Sequence, residues 1–61
     1  MKLKIEIRMD NDAFVPTPGI EAGKMLQELG ASLEDIGMLI PEDGGPLIDI
    51  NWNKVGSWRV T

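Results

Sequence analysis

KLKIEIRM, residues 2–9, is the stretch that decides the architecture. Leu3, Ile5, Ile7 and Met9 alternate with Lys2, Lys4, Glu6 and Arg8. Period two means a strand with one buried face and one wet face. Its β-branched residues fit a pleated surface.

Working outward, DNDAFVPTPG at residues 10–19 has turn chemistry. Asp10, Asn11 and Asp12 favour Asx-type turns, and two prolines follow. Phe14 and Val15 are apolar within this loop and are expected to fold back over one end of the core. A helix then starts, with Thr17 as N-cap and Pro18 at the first helical position, where its missing N–H costs nothing. Glu21 lies in the first turn, where the helix dipole favours an anion. Ala22, Met25, Leu26, Leu29, Leu33 and Ile36 form an amphipathic stripe. The stripe predicts one helix over about 18–36, with Gly37 as its C-terminal cap. A short apolar run, Met38–Ile40, stops at Pro41, and PEDGGP at 41–46 reads as a turn cluster.

The tail reads as a hairpin, LIDI followed by VGSWRV, joined through Asn51–Lys54. A tight turn over Trp52 and Asn53 pairs Ile50 with Val55. It puts Leu47, Trp58 and Val60 on one face and Ile48, Ile50 and Val55 on the other. A bulge at Gly56 would shift that register, and the sequence leaves open which face is buried. The order is β-α-β-β, and the expected fold class is α+β. The simplest form is a single domain over 1–61, with a three-stranded, mostly antiparallel sheet and one helix packed on a face.

Composition narrows the chemistry. A chain of 61 residues buries only about 60% of its unfolded surface, so its core is marginal. Without Cys or His it lacks disulfides, the best zinc ligands and the commonest nucleophile and base. Very good packing or self-association is expected to supply the missing stability, and a homodimer is one such solution. The charged alternation at the N-terminus is no signal peptide, and no apolar run suits a membrane span. The expectation is a soluble, cytoplasmic protein.

The formal net charge is −4. From Met25 to Asn53 there is no cation, but there are Glu28, Glu34, Asp35, Glu42, Asp43 and Asp49. Such a segment repels nucleic acid and steers basic partners.

Candidate motifs are few. Gly19–Met25 is one residue short of a phosphate-binding loop and lacks its Ser or Thr. Asp10-Asn11-Asp12 opens like a calcium loop, but Phe14 and Val15 stand where a ligand and a glycine belong. The carboxylates have no evident cleft to dry one of them for acid catalysis. Neither a catalytic residue nor a cofactor is expected. Trp52 at a loop tip is a candidate anchor, since Trp is enriched in interface hot spots. Lys2, Lys4 and Arg8 make a sparse basic patch without aromatics, which argues against direct nucleic-acid binding.

MDNDAF at 9–14 and GPLIDINWNKVGSWRV at 45–60 resemble a group of small proteins encoded on bacteriophages, prophages and plasmids. The pattern there is roughly M-D-N-x-A-F, a helix, then G-P-L-x-D-x-N-G-N-x-V-G-x-W-x-V. The match spans a little over a third of the chain. This sequence departs at Trp52, where the group usually has Gly. It also lacks the basic residues that commonly populate the group's helix, and carries the Met38–Ile40 run instead. The resemblance implies a mobile-element accessory protein that binds a host factor, with inhibitors of nucleases or defence complexes among such proteins.

The resulting expectation is a non-enzymatic interaction protein. It docks on a host protein with a basic surface through Glu34, Asp35, Glu42, Asp43 and Asp49, and anchors with Trp52. The alternative is a self-associating homodimer, with Met38–Ile40 or the second hairpin face as its seam. A nucleic-acid module using Lys2, Lys4 and Arg8 is the third possibility.

Overall fold

A computed structural model describes residues 1–61. Strand β1 is Leu3–Ile7, helix α1 is Pro18–Ile36, strand β2 is Gly44–Ile48 and strand β3 is Lys54–Val60. A short 3-10 turn, Asp12–Phe14, stands between β1 and α1. The order is the expected β-α-β-β. The sheet runs β1-β3-β2, and both pairings are antiparallel.

Register explains which side is covered. Leu3 lies opposite Val60, Ile5 opposite Trp58 and Ile7 opposite Gly56. Gly45 and Leu47 of β2 lie opposite Trp58 and Gly56. Directly opposed residues share a face, so these side chains all point toward α1. The core is Phe14, Met25, Leu29, Leu47 and Val55, with Ile7, Ala13, Ala22, Leu33 and Trp58 packed against it. Phe14 closes one end at 1% exposure, a burial worth roughly 1.5–3 kcal/mol. Its neighbour Val15 does not join it and stays exposed.

Two hairpin expectations are corrected. Leu47 pairs with Gly56 but Ile48 pairs with Lys54, so Val55 is an extra residue in β3. This β-bulge reverses the alternation at that point. Val55 is therefore core, on the face of Leu47 and not on that of Ile48. The second correction concerns Gly44, Gly45 and Pro46, which are strand and not turn. A Cβ on Gly44 would sit 2.5 Å from the Trp58 carbonyl oxygen, and one on Gly45 would sit 3.0 Å from Trp58 Nε1. Glycine is there to let β2 lie against β3 under the indole.

Helix α1 has the expected bounds but a different start. Thr17 holds the cap position without a side-chain hydrogen bond. Its carbonyl instead accepts from Ile20 N–H at 3.1 Å. At the other end Gly37 has φ 74 and ψ −65, and Met38 N–H donates to the Ile36 carbonyl at 2.8 Å. This is a γ-turn of the hand that favours glycine. The helix runs antiparallel to β2, so its start lies beside the hairpin tip and its end beside residues 41–45. No helix is long and apolar enough to cross a membrane.

Candidate functional site

The hairpin tip is built around Asp49, which is buried. Its Oδ1 accepts from Asn51 N–H at 2.8 Å and from Asn53 N–H at 2.9 Å. Its Oδ2 accepts from Asn11 Nδ2 at 2.7 Å. Asn11 Oδ1 in turn accepts from Ala13 N–H at 2.9 Å, which caps the 3-10 turn. Burial pushes the Asp49 carboxyl up, but the hydrogen bonds from Asn53, Asn11 and Asn51 outweigh it. They hold the group below its ordinary 3.8. The segments 9–14 and 45–60 are thus tied together by one side-chain bond.

The backbone finishes the tip. Asp49 N–H donates to the Asn53 carbonyl at 2.9 Å, and Trp52 N–H donates to the Asp49 carbonyl at 3.0 Å. This three-residue loop requires its last member in the left-handed region, the usual place for glycine. Trp52 fills it at φ 65, with 87% of its surface exposed. Glu21 fastens the tip to the helix, its Oε2 accepting from Ile50 N–H at 2.9 Å. Between the two elements lies a groove of about 280 Å³, lined by Lys24, Met25 and Glu28 on one side and Ile48, Ile50 and Trp52 on the other.

The expected docking residues do not form one surface. Asp49 is withdrawn from it, since its carboxylate is buried and occupied by three donors within the hairpin and loop. Glu34 and Asp35 are exposed in the last turn of α1, where no basic residue offsets them. Glu42 is exposed in the following turn, and Asp43 is half-buried with Oδ2 accepting from Ile40 N–H at 3.0 Å. These four lie at the end of the molecule opposite Trp52.

The cations gather elsewhere. Lys4 lies opposite Arg59 and Glu6 opposite Ser57, on the sheet face away from α1. By alternation Lys2 and Arg8 share that face, the bulge at Val55 turns Lys54 onto it opposite Ile48, and Arg8 Nη2 donates to the Lys54 carbonyl at 3.3 Å. Five of the six cations therefore stand on one side, with Glu6 the one acid of these strands among them.

Asn11 and Glu21 are the site residues that sequence reasoning passed over. Asn11 carried a local turn signal, and Glu21 a helix-start signal. Neither signal encodes a partner across 38 or 29 residues of chain. No protein family, no curated protein and no solved structure matches this chain.

Proposed function

We propose that this chain is a non-enzymatic protein-binding module that docks through the hairpin tip and its groove, with Trp52 as anchor. One observation carries the reading. A left-handed non-glycine residue costs roughly 1–2 kcal/mol, and here that residue is the largest side chain, turned into water. Left in water, it adds little burial to the fold. Buried aromatic anchors dominate binding energies in known interfaces, so a partner recovers what the free domain loses. The net charge of −4 favours a partner with a basic surface. The phage and plasmid resemblance suggests a host protein, bound so as to modulate or inhibit it.

The test is Trp52→Gly, assayed for thermal stability and for capture of lysate proteins at low and high salt. The expected outcome is a more stable domain that no longer retains its partner. Full retention by this variant overturns the reading. A partner lost with Glu34→Lys/Asp35→Lys but kept with Trp52→Gly moves the docking surface to the acidic end.

A second reading is supported by the cationic sheet face, which suits an anionic polymer such as nucleic acid. It expects retention on DNA or RNA at low salt, lost steeply as salt rises and in Lys54→Glu/Arg59→Glu.

A further inference from the structure

The two edges of the sheet are not alike. On the β2 edge Pro46 interrupts the row of N–H donors. Proline on an edge strand discourages pairing with another chain. The β1 edge has no such block. Lys2 and Thr61 exchange both backbone hydrogen bonds, at 2.8 and 2.9 Å, and Arg8 N–H donates to the Val55 carbonyl. The even-numbered residues thus pair inward with β3. The N–H and C=O of Leu3, Ile5 and Ile7 point outward along the open edge.

The side chains on that edge are also incompletely covered. Leu3 is 45% and Ile5 42% exposed, although both lie on the face that carries the helix. Lys24 and Glu28 line the flank of α1 that overlooks β2. Helical spacing puts Leu26, itself 44% exposed, on the other flank, above β1. An apolar strip therefore runs beside an open strand edge.

We infer that β1 pairs antiparallel with β1 of a second copy, with the twofold axis at Ile5, to give a continuous six-stranded sheet. The pattern Lys4-Ile5-Glu6 argues for a copy of the same chain. Centred on Ile5, antiparallel pairing sets Lys4 of each chain opposite Glu6 of the other. These are non-hydrogen-bonded positions, where side chains come closest. Ile5 meets Ile5, and Leu3 meets Ile7, through the free backbone groups.

This register pairs every residue of Leu3–Ile7. Sliding one chain by two residues opposes Lys4 to Lys4 or Glu6 to Glu6 at the axis and shortens the overlap. At the ends Lys2 flanks Arg8, whose guanidinium is already turned toward the Lys54 carbonyl of its own chain. A self-complementary patch is what a closed twofold dimer requires. With 8 of 61 residues buried, the isolated domain has much to gain from it.

Sedimentation equilibrium of the full chain, with circular dichroism as a check on folding, tests the pairing. The wild type is expected at twice 6.7 kDa at concentrations of roughly 100 µM. Lys4→Glu should weaken the dimer by about tenfold or more, because two attractive cross-strand pairs become repulsive. The swap Lys4→Glu/Glu6→Lys should restore it, since opposite charges meet again in this register, whereas each shifted register sets like charges against each other at its axis. Ile5→Lys, a charge on the edge, should give a folded monomer. A wild-type monomer at 500 µM overturns the inference. So does a dimer indifferent to these variants, which would locate the seam elsewhere, for example at Met38–Ile40. Trp52 is remote from this edge, so Trp52→Gly leaves the dimer intact and the two proposals fail separately.

Discussion

Strand β2 is bounded by two turns built on one plan and used differently. At its start, Pro41 and Glu42 occupy the centre of a turn closed by Asp43 N–H on the Ile40 carbonyl at 3.1 Å, and Glu42 has φ 79. At its end, Ile50, Asn51 and Trp52 form the loop, and Trp52 has φ 65. Each turn holds a left-handed residue where glycine fits best, and each is braced by an aspartate. The braces differ: Asp43 is half-buried and takes one side-chain bond, while Asp49 is buried and takes three. The strained residues differ more. Glu42 in water is well solvated, whereas Trp52 in water is an unpartnered aromatic. Backbone strain at the first turn therefore needs only a turn as its explanation. At the second it is coupled to a side chain that the fold itself does not use.

The sharpest break in the comparison is Asp49→Ala. It strands two part-buried loop N–H groups and frees Asn11, detaching the 3-10 turn from the hairpin. Of the substitutions considered at the two turns, it should lower the thermal midpoint furthest. Acid offers a second route to the same group. Because the folded protein holds Asp49 below 3.8, its contribution is complete above that value and fades as pH falls through the lower, folded value. Denaturant titrations should show wild-type stability declining on acidification below about pH 4. Asp49→Asn, already destabilised, should decline less over the same range. Equal slopes would mean that the carboxylate is not the brace.

Next in size are Trp52→Gly and Glu42→Gly. Each relieves a left-handed strain of about 1–2 kcal/mol and returns about 0.5–1 kcal/mol through the freer unfolded chain. A net gain of roughly 0.5–1 kcal/mol, a few degrees in Tm, is expected for both. The turns should part company in binding, with partner capture lost in Trp52→Gly and kept in Glu42→Gly. If both variants bind alike, strain at the tip has no functional meaning.

The elements were legible because their signals are local. The alternation of Leu3, Ile5 and Ile7 and the stripe from Ala22 to Ile36 each lie within one segment, and both gave the element found there. The bulge was signalled by Gly56, but the residue it would add was not. Its extra residue, Val55, changes no local pattern, and Gly56 is required by a partner strand: a Cβ there would strike the Glu6 carbonyl. Gly44 and Gly45 misled for a related reason. Two glycines after Pro-Glu-Asp look like a turn, but their smallness serves the Trp58 backbone and indole. Among the candidate site residues, the place of Trp52 at a turn tip fitted both an exposed anchor and a ring folded over the sheet, and only the structure separates them. The fate of Asp49 did not, because acidity alone cannot separate a docking charge from a buried brace. The charge map was half visible. The run without cations from Met25 to Asn53 was plain in the sequence, while Lys54 and Arg59 joined Lys2, Lys4 and Arg8 only through the pairing of the first and last strands.

The smallest effect belongs to Asp43→Ala. This substitution removes one exposed hydrogen bond to Ile40 N–H and leaves a donor that water can reach, so the cost should be about 0.5–1 kcal/mol. Two backbone bonds remain at this turn without the side chain, Glu42 N–H to the Val60 carbonyl at 2.7 Å and Val60 N–H to the Asp43 carbonyl at 2.8 Å. They anchor it to β3 whatever residue stands at 43. Amide hydrogen exchange should therefore find Val60 still protected in Asp43→Ala, with only the Ile40 amide faster. Had Asp43 been a brace of the same kind as Asp49, protection would fall along the whole β2–β3 pairing. The two aspartates would then count as equivalent, and the case for a tip kept rigid to present Trp52 would lose its contrast.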